Sequence, residues 1–123
     1  MEKNYRIKNI NDYICVEFSG DIDDSVCPRY KKEIGALIES NKNKDMVFDF
    51  KDVTFIDSSG IGLILARYNQ LKSHRRKLYV SQTNNQIQKL FKISGIYTII
   101  EELEKVKIGE RVWIKWNLKF LQQ

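Results

Sequence analysis

Phe55-Ile56 runs directly into Asp57-Ser58-Ser59-Gly60 and then into the hydrophobic stretch Ile61 to Ala66. An apolar run that turns on small polar residues and continues as an apolar helix leaves its first backbone N–H groups without intrahelical partners. Ser58 or Ser59 is expected to cap that helix start. A phosphate on either hydroxyl would meet the positive end of the helix dipole and several amide donors. Gly60 and Gly62 keep side-chain bulk low, so another protein can approach closely. The same residues also suit an ordinary N-cap with glycines placed for tight packing, and residue types alone leave both readings open.

Asp21-Ile22-Asp23-Asp24 is a second candidate. Its Asp-x-Asp spacing matches the nucleophile motif of haloacid-dehalogenase-type phosphatases, where one carboxylate attacks phosphorus, another moves the proton and Mg²⁺ holds the phosphate. Such enzymes also need a lysine and an acidic pair after later strands, and no convincing acidic pair follows here. A solvated capping turn accounts for the cluster equally well.

Other catalytic templates fail on spacing. His74 is the single histidine, lies in a basic run and is expected to be solvated. On one helix it would stand about four turns from the serines, roughly 22–24 Å at 1.5 Å per residue, too far for a triad. Cys15 and Cys27 have no CxxC partner. No phosphate-cradling GxxxxGK[ST] or GxGxxG loop occurs.

These residues must be positioned by a chain of 123 residues with 42% hydrophobic and 30% charged content, the size and balance of one globular domain. Two cysteines fit a reducing cytosol. The N-terminus has no apolar signal region and no run reaches membrane-spanning length, so a cytoplasmic protein without membrane contact is expected. The net charge of +5 is uneven. Residues 105–123 hold five basic residues against Glu110 alone, a net +4, so the body is nearly neutral. Nucleic acid is not expected as a partner, because the body has no basic stripe with aromatic support.

Tyr5 to Ile10 and the alternating Tyr13 to Gly20 read as strands, with a hairpin turn at Asn11-Asp12. Gly20 to Ser25 supplies N-cap candidates for a helix bearing Val26, Tyr30, Ile34, Leu37 and Ile38, with Pro28 in its first turn. Met46 to Phe50 reads as a central strand, followed by a link at Lys51 to Thr54. The helix after Asp57 carries Ile61, Ile64, Leu65, Tyr68 and Leu71 on one face and collects Lys72, His74, Arg75, Arg76 and Lys77 at its end, where cations suit the dipole. Leu78 to Val80 is the next strand. Asn84 or Asn85 caps a third helix with Ile87, Leu90 and Phe91, and Gly95 closes it. Ile96 to Ile100 is expected as the last core strand. Single helices between strands predict an α/β fold, mostly parallel, with an antiparallel N-terminal strand and the helices packed on the sheet. Ligand and partner sites then fall at the strands' C-terminal ends, at Asp21 and Asp23, Asp57 to Gly60, and Ser81 to Asn84.

The segments Phe55 to Tyr68, Lys89-Leu90-Phe91-Lys92-Ile93-Ser94-Gly95-Ile96 and Gly20-Asp21-Ile22-Asp23 together resemble the STAS-domain family. Within it they are most similar to the anti-sigma factor antagonists of the SpoIIAA type. The resemblance covers about residues 5–100. It implies that Ser58 is phosphorylated by a partner anti-sigma factor that is itself a serine kinase. It implies that the unphosphorylated form binds that partner and frees a sigma factor, in a sporulation circuit. A separate serine phosphatase would reset the switch, and ATP would belong to the kinase, so the resemblance implies no cofactor for this chain. The implied binding surface comprises Asp21, Asp23, Asp57, Ser58, Ser59, Gly60, Ile61 and Gly62. Other roles for the same fold are a scaffold or a ligand-sensing module in another signalling complex. A STAS domain over residues 1–104 is expected, as a monomer, followed by a basic aromatic tail over 105–123. The tail alternates like a strand, although Trp113, Trp116 and Phe120 also fit a helix face. It reads as an added strand, an oligomer contact or an extension.

Overall fold

The computed structural model describes residues 4–10, 12–108 and 111–116. Strands β1 (Tyr5–Ile10) and β2 (Tyr13–Ile22) form a hairpin, and α1 (Cys27–Ser40) crosses to β3 (Asp45–Ile56). Helix α2 (Ser58–Ser73) leads to β4 (Leu78–Ser81), and α3 (Asn85–Ile93) with a 3₁₀ turn (Ile96–Thr98) leads to β5 (Glu101–Ile108) and β6 (Arg111–Trp116). The six strands lie in chain order, β1-β2-β3-β4-β5-β6. Pairing is parallel from β2 to β5 and antiparallel at both edges.

Each helix joins neighbouring parallel strands in the same direction across the sheet, so right-handed crossovers put all three on one face. The packing agrees. Tyr30, Ile34 and Ile38 of α1, Leu63, Ile64 and Leu71 of α2, and Ile87 and Phe91 of α3 share one core with Phe18, Phe48 and Phe50 of the sheet. Phe18 stands edge-on to Phe48 at 5.1 Å between ring centres, and Phe50 edge-on to Phe91 at 5.3 Å. Alternate strand residues Cys15, Val47, Tyr79 and Leu103 form a smaller cluster on the other face, as the two-residue strand period requires.

Three expectations about elements are corrected. The link at Lys51 to Thr54 does not exist, because β3 is one strand of twelve residues. Its second half stays extended because β2 continues beyond Gly20 and supplies pairing as far as Ile22↔Ile56, through register shifts at Glu17/Ser19 and Gly20/Asp21. Gly20, at φ +74°, permits the bend, and such shifts break the alternation on which the sequence reading relied. Helix α1 is capped by none of the acidic or serine residues before it. Its N-cap is Val26, which makes no side-chain cap. Ile96 to Ile100 is a helical turn, with the Ile100 N–H donating to the Ile96 carbonyl (2.8 Å) and both side chains buried. The last parallel strand is β5, which runs through residue 104 and pairs with β6 along Leu103↔Trp116 to Ile108↔Arg111. The backbone from 111 to 116 is thus an added strand. Asn11, Gly109, Glu110 and residues 117–123, including Phe120, lie outside the described residues.

Candidate functional site

Asp21 to Asp24 and Asp57 to Gly62 sit side by side because β2 and β3 are parallel neighbours that end together. The Asp57 N–H donates to the Ile22 carbonyl (3.2 Å), tying the two loops. Gly60 seals the junction. A Cβ there would lie 2.6 Å from Ile56 Cγ2 and 2.9 Å from the Ile22 carbonyl oxygen, so the fold requires glycine. Gly62 is different, since a Cβ there would meet nothing within 4 Å. A glycine inside a helix costs about 0.5–1 kcal/mol relative to alanine. Nothing in the described fold accounts for that cost at Gly62.

The helix cap is Asp57, not Ser58 or Ser59. Its Oδ1 accepts from the Ser59 N–H at 2.8 Å and the Gly60 N–H at 3.1 Å, while the Ile61 N–H bonds the Asp57 carbonyl. One carboxylate oxygen takes both amides, and Asp57 is the residue that stands immediately before the first helical one. Ser58 becomes the first helical residue, exposed, and Ser59 the second, half-buried. The expected cradle of open amides is therefore mostly taken, and an anion on Ser58 would stand against the Asp57 carboxylate.

Asp23 closes its own turn. Its Oδ1 accepts from the Ser25 N–H (3.0 Å) and the Ser25 hydroxyl (2.6 Å), and the hydroxyl bond above all holds its carboxyl below the usual carboxylate range. Asp21 accepts from the Thr54 hydroxyl at 2.6 Å across the β2–β3 pair. The two carboxylates of the Asp-x-Asp motif are thus bound to different neighbours. No group of three His, Cys, Asp or Glu among the described residues is arranged to hold a metal ion. Cys27, buried beside this end, has its thiol pushed up to about 11, chiefly by burial and further by Asp57, Asp23 and Asp24. It remains a thiol at neutral pH and a weak nucleophile.

A groove of about 430 Å³ between α1 and α2 opens beside Ser59 and Gly62, lined also by Cys27, Pro28, Leu63 and Ala66. Ile61 packs half-buried against the core. Beneath α2, Leu63 and Arg67 face inward where Ile61, Leu65 and Tyr68 were expected to dominate. Arg67 is 8% exposed and donates from Nη1 to the Lys31 carbonyl (2.8 Å), fixing α2 to α1. His74 is not simply solvated, because its Nε2 lies 2.7 Å from Glu39 Oε2 on α1.

The third strand end, at Ser81 to Asn84, carries a residue the sequence reading passed over. Asp49 is 2% exposed. It receives the Lys51 N–H on one oxygen, and the Ser81 hydroxyl and Gln82 amide on the other. It thus holds the β4–α3 loop, where Gln82 adopts φ +55°. Thr83 bonds Glu102, which also accepts from the Tyr97 hydroxyl at 2.6 Å. Asp49 lies in the otherwise continuous apolar run Met46 to Phe50, and the interruption Phe48-Asp49-Phe50 was the available signal.

Comparison with known proteins follows this geometry. Among the described residues no helix is long and apolar enough to cross a membrane. The chain is 27% identical over 109 residues to an anti-sigma-B factor antagonist of Bacillus subtilis, covering 89% of this chain and 98% of that protein. It is 26% identical over 87 residues to an anti-sigma F factor antagonist of Paenibacillus polymyxa, covering 71% and 74%. Its fold is similar to that of a putative anti-sigma factor antagonist of Thermotoga maritima, with a TM-score of 0.74 at 16% identity over 86% of this chain and 89% of that one. It is also similar to the phosphorylated form of SpoIIAA from Bacillus, with a TM-score of 0.65 at 19% identity over 80% and 89%. The STAS domain model matches residues 4–112, from the first strand into the last and through the whole Asp57 to Gly62 helix start, and this chain belongs to the STAS domain family.

Proposed function

We propose that this protein is an anti-sigma factor antagonist controlled by phosphorylation of Ser58. Unphosphorylated, it binds an anti-sigma factor that is a serine kinase and so frees a sigma factor. Phosphorylated, it lets the partner go, and a serine phosphatase restores it. The chain itself is not an enzyme and uses no cofactor, since ATP belongs to the kinase. It acts in the cytoplasm, in a sporulation circuit. The names of its relatives support the general role.

The observation that carries the switch is the position of the Ser58 hydroxyl. It is exposed on the first residue of α2, next to a carboxylate that already holds two of the helix's free amides. A phosphate adds a charge of about −1.5 to −2 there. It would face Asp57 directly and Asp23 across the loop pair, and repel acidic partner groups without moving the helix. Displacing α2 would expose Leu63, Ile64 and Leu71, each worth roughly 1.5–3 kcal/mol when buried, more than one phosphate contact offsets.

Incubation with a candidate anti-sigma factor kinase and ATP, followed by mass spectrometry, tests this. Label should map to Ser58 and vanish in Ser58→Ala with the fold intact. Label persisting on Ser59 defeats the assignment. Ser58→Asp should weaken partner binding with amide NMR shifts confined to the loops around Asp23, Ser58 and Thr83. Shifts spread through α1 and α3 would mean a conformational mechanism instead.

A further inference from the structure

Four cations, Lys72, Arg75, Arg76 and Lys77, close α2 and lead into β4, and they border a cavity of about 350 Å³ at the end of the helix away from Ser58. A helix C-terminus carries roughly half a negative charge, which accounts for one cation and not four. Among the described residues none of the four forms an ion pair. Glu101 is the one acid lining the cavity. Asp45, which does not line the cavity, accepts the Lys77 backbone N–H at 3.0 Å. His74 is turned away to Glu39. The cavity therefore carries an uncompensated positive charge.

Its walls are organised. Arg76 Nε donates to the Lys42 carbonyl (3.0 Å), which braces the guanidinium. Lys72 Nζ stands 5.9 Å from the centre of the Tyr68 ring, and Ile99, 45% exposed, completes an apolar side. Arg75 is held at φ +58°. It follows the helix cap, where the Arg76 N–H returns to the Leu71 carbonyl and the Arg75 N–H to the Lys72 carbonyl. That position favours glycine, because any side chain there strains the backbone. The fold gains nothing from arginine at this point.

We propose that this cavity binds a small molecule bearing two or more phosphate groups. The phosphates sit among Lys72, Arg75, Arg76 and Lys77, where guanidinium forks and ammonium groups both recognise them. The remainder of the molecule lies against Tyr68 and Ile99. The cations surround a concavity instead of forming a stripe, which favours a small ligand over a nucleic acid. This site is independent of the phosphorylation reading and stands or falls separately.

The test is a titration of the full chain with inorganic pyrophosphate, followed by amide NMR and calorimetry. Saturable one-to-one binding is expected, with the largest shifts at Lys72, Arg75 to Tyr79, Ile99 and Glu101. Affinity should exceed that for sulfate at equal ionic strength about tenfold, since charge-assisted contacts add with each phosphate. Arg75→Gly suits the backbone, so it should melt at or above the wild-type temperature and still bind about fivefold more weakly, as should Lys72→Ala. Equal response to sulfate, shifts centred on Ser58, or wild-type binding by both variants would overturn the proposal. So would a short DNA duplex producing these shifts where pyrophosphate does not.

Discussion

Helix α2 starts against the ends of β2 and β3 and finishes in a run of cations, and glycine has opposite meanings at the two ends. At the start, Gly60 is demanded by contact, with Ile56 and the Ile22 carbonyl too near for any Cβ. At the finish, φ favours glycine and the chain carries Arg75. Gly62 stands between them, a glycine with open space where alanine would serve the helix better. Residues chosen against local backbone preference, with no packing reason, point outward to something the molecule meets. Residues that obey packing point inward. By that contrast, Gly60 belongs to the fold, and Gly62 and Arg75 belong to surfaces.

Substitutions along α2 can break this contrast. Gly60→Ala should have the largest effect, a loss of about 3 kcal/mol in urea unfolding, because backbone as well as side chain obstructs the new methyl. Stability near wild type would remove Gly60 from the fold's requirements. Asp57→Ala should cost about 1–2 kcal/mol, as two helix amides lose their acceptor. Gly62→Ala should go the other way, stabilising by about 0.5–1 kcal/mol while weakening partner capture. If binding is unchanged, the open space at Gly62 has no role in recognition.

The smallest expected effect is pH-dependent and lies near the basic end. The Gln70 amide first, and His74 next, hold the Glu39 carboxyl below its ordinary value of 4.5. A carboxylate whose pKa is lower folded than unfolded stabilises the fold above the unfolded value and loses that contribution as pH falls through the folded one. Acid unfolding of Glu39→Gln should accordingly be slightly less steep below pH 4.5 than that of the wild type. Identical curves would remove Glu39 from the α1–α2 tie.

Much of this was legible in the residues. The order of strands and helices, the Asn84 cap and the Asp57 to Gly60 turn follow from period and residue type, because α3 and the turn into α2 obey local rules, whereas α1 starts at Val26 without a side-chain cap. The Asp57 cap was missed because serine and aspartate are near-equal N-caps, and only the position of the Ile22 carbonyl decides where the helix begins. β3 was cut short because its apolar density ends at Phe50, and what keeps Lys51 to Ile56 extended is pairing with β2, a tertiary effect that no window along β3 contains. Ile96 to Ile100 reads as a strand by apolar density, yet its buried pair is four residues apart, a helical spacing. Arg75 and Gly62 acquire meaning only from a φ angle and an empty volume.

Strand order that follows chain order also sets a schedule for synthesis. Every element around Ser58 except the β4–α3 loop is contained in residues 4–73, whereas the basic cavity waits for Ile99 and Glu101. A nascent chain released as far as α2 would own the acidic end while β3 still offered Met46, Val47, Phe48 and Asp49 without the β4 strand they pair with. An apolar edge of that kind recruits other chains. Premature termination after Ser73 should therefore yield aggregates and not a small functional antagonist.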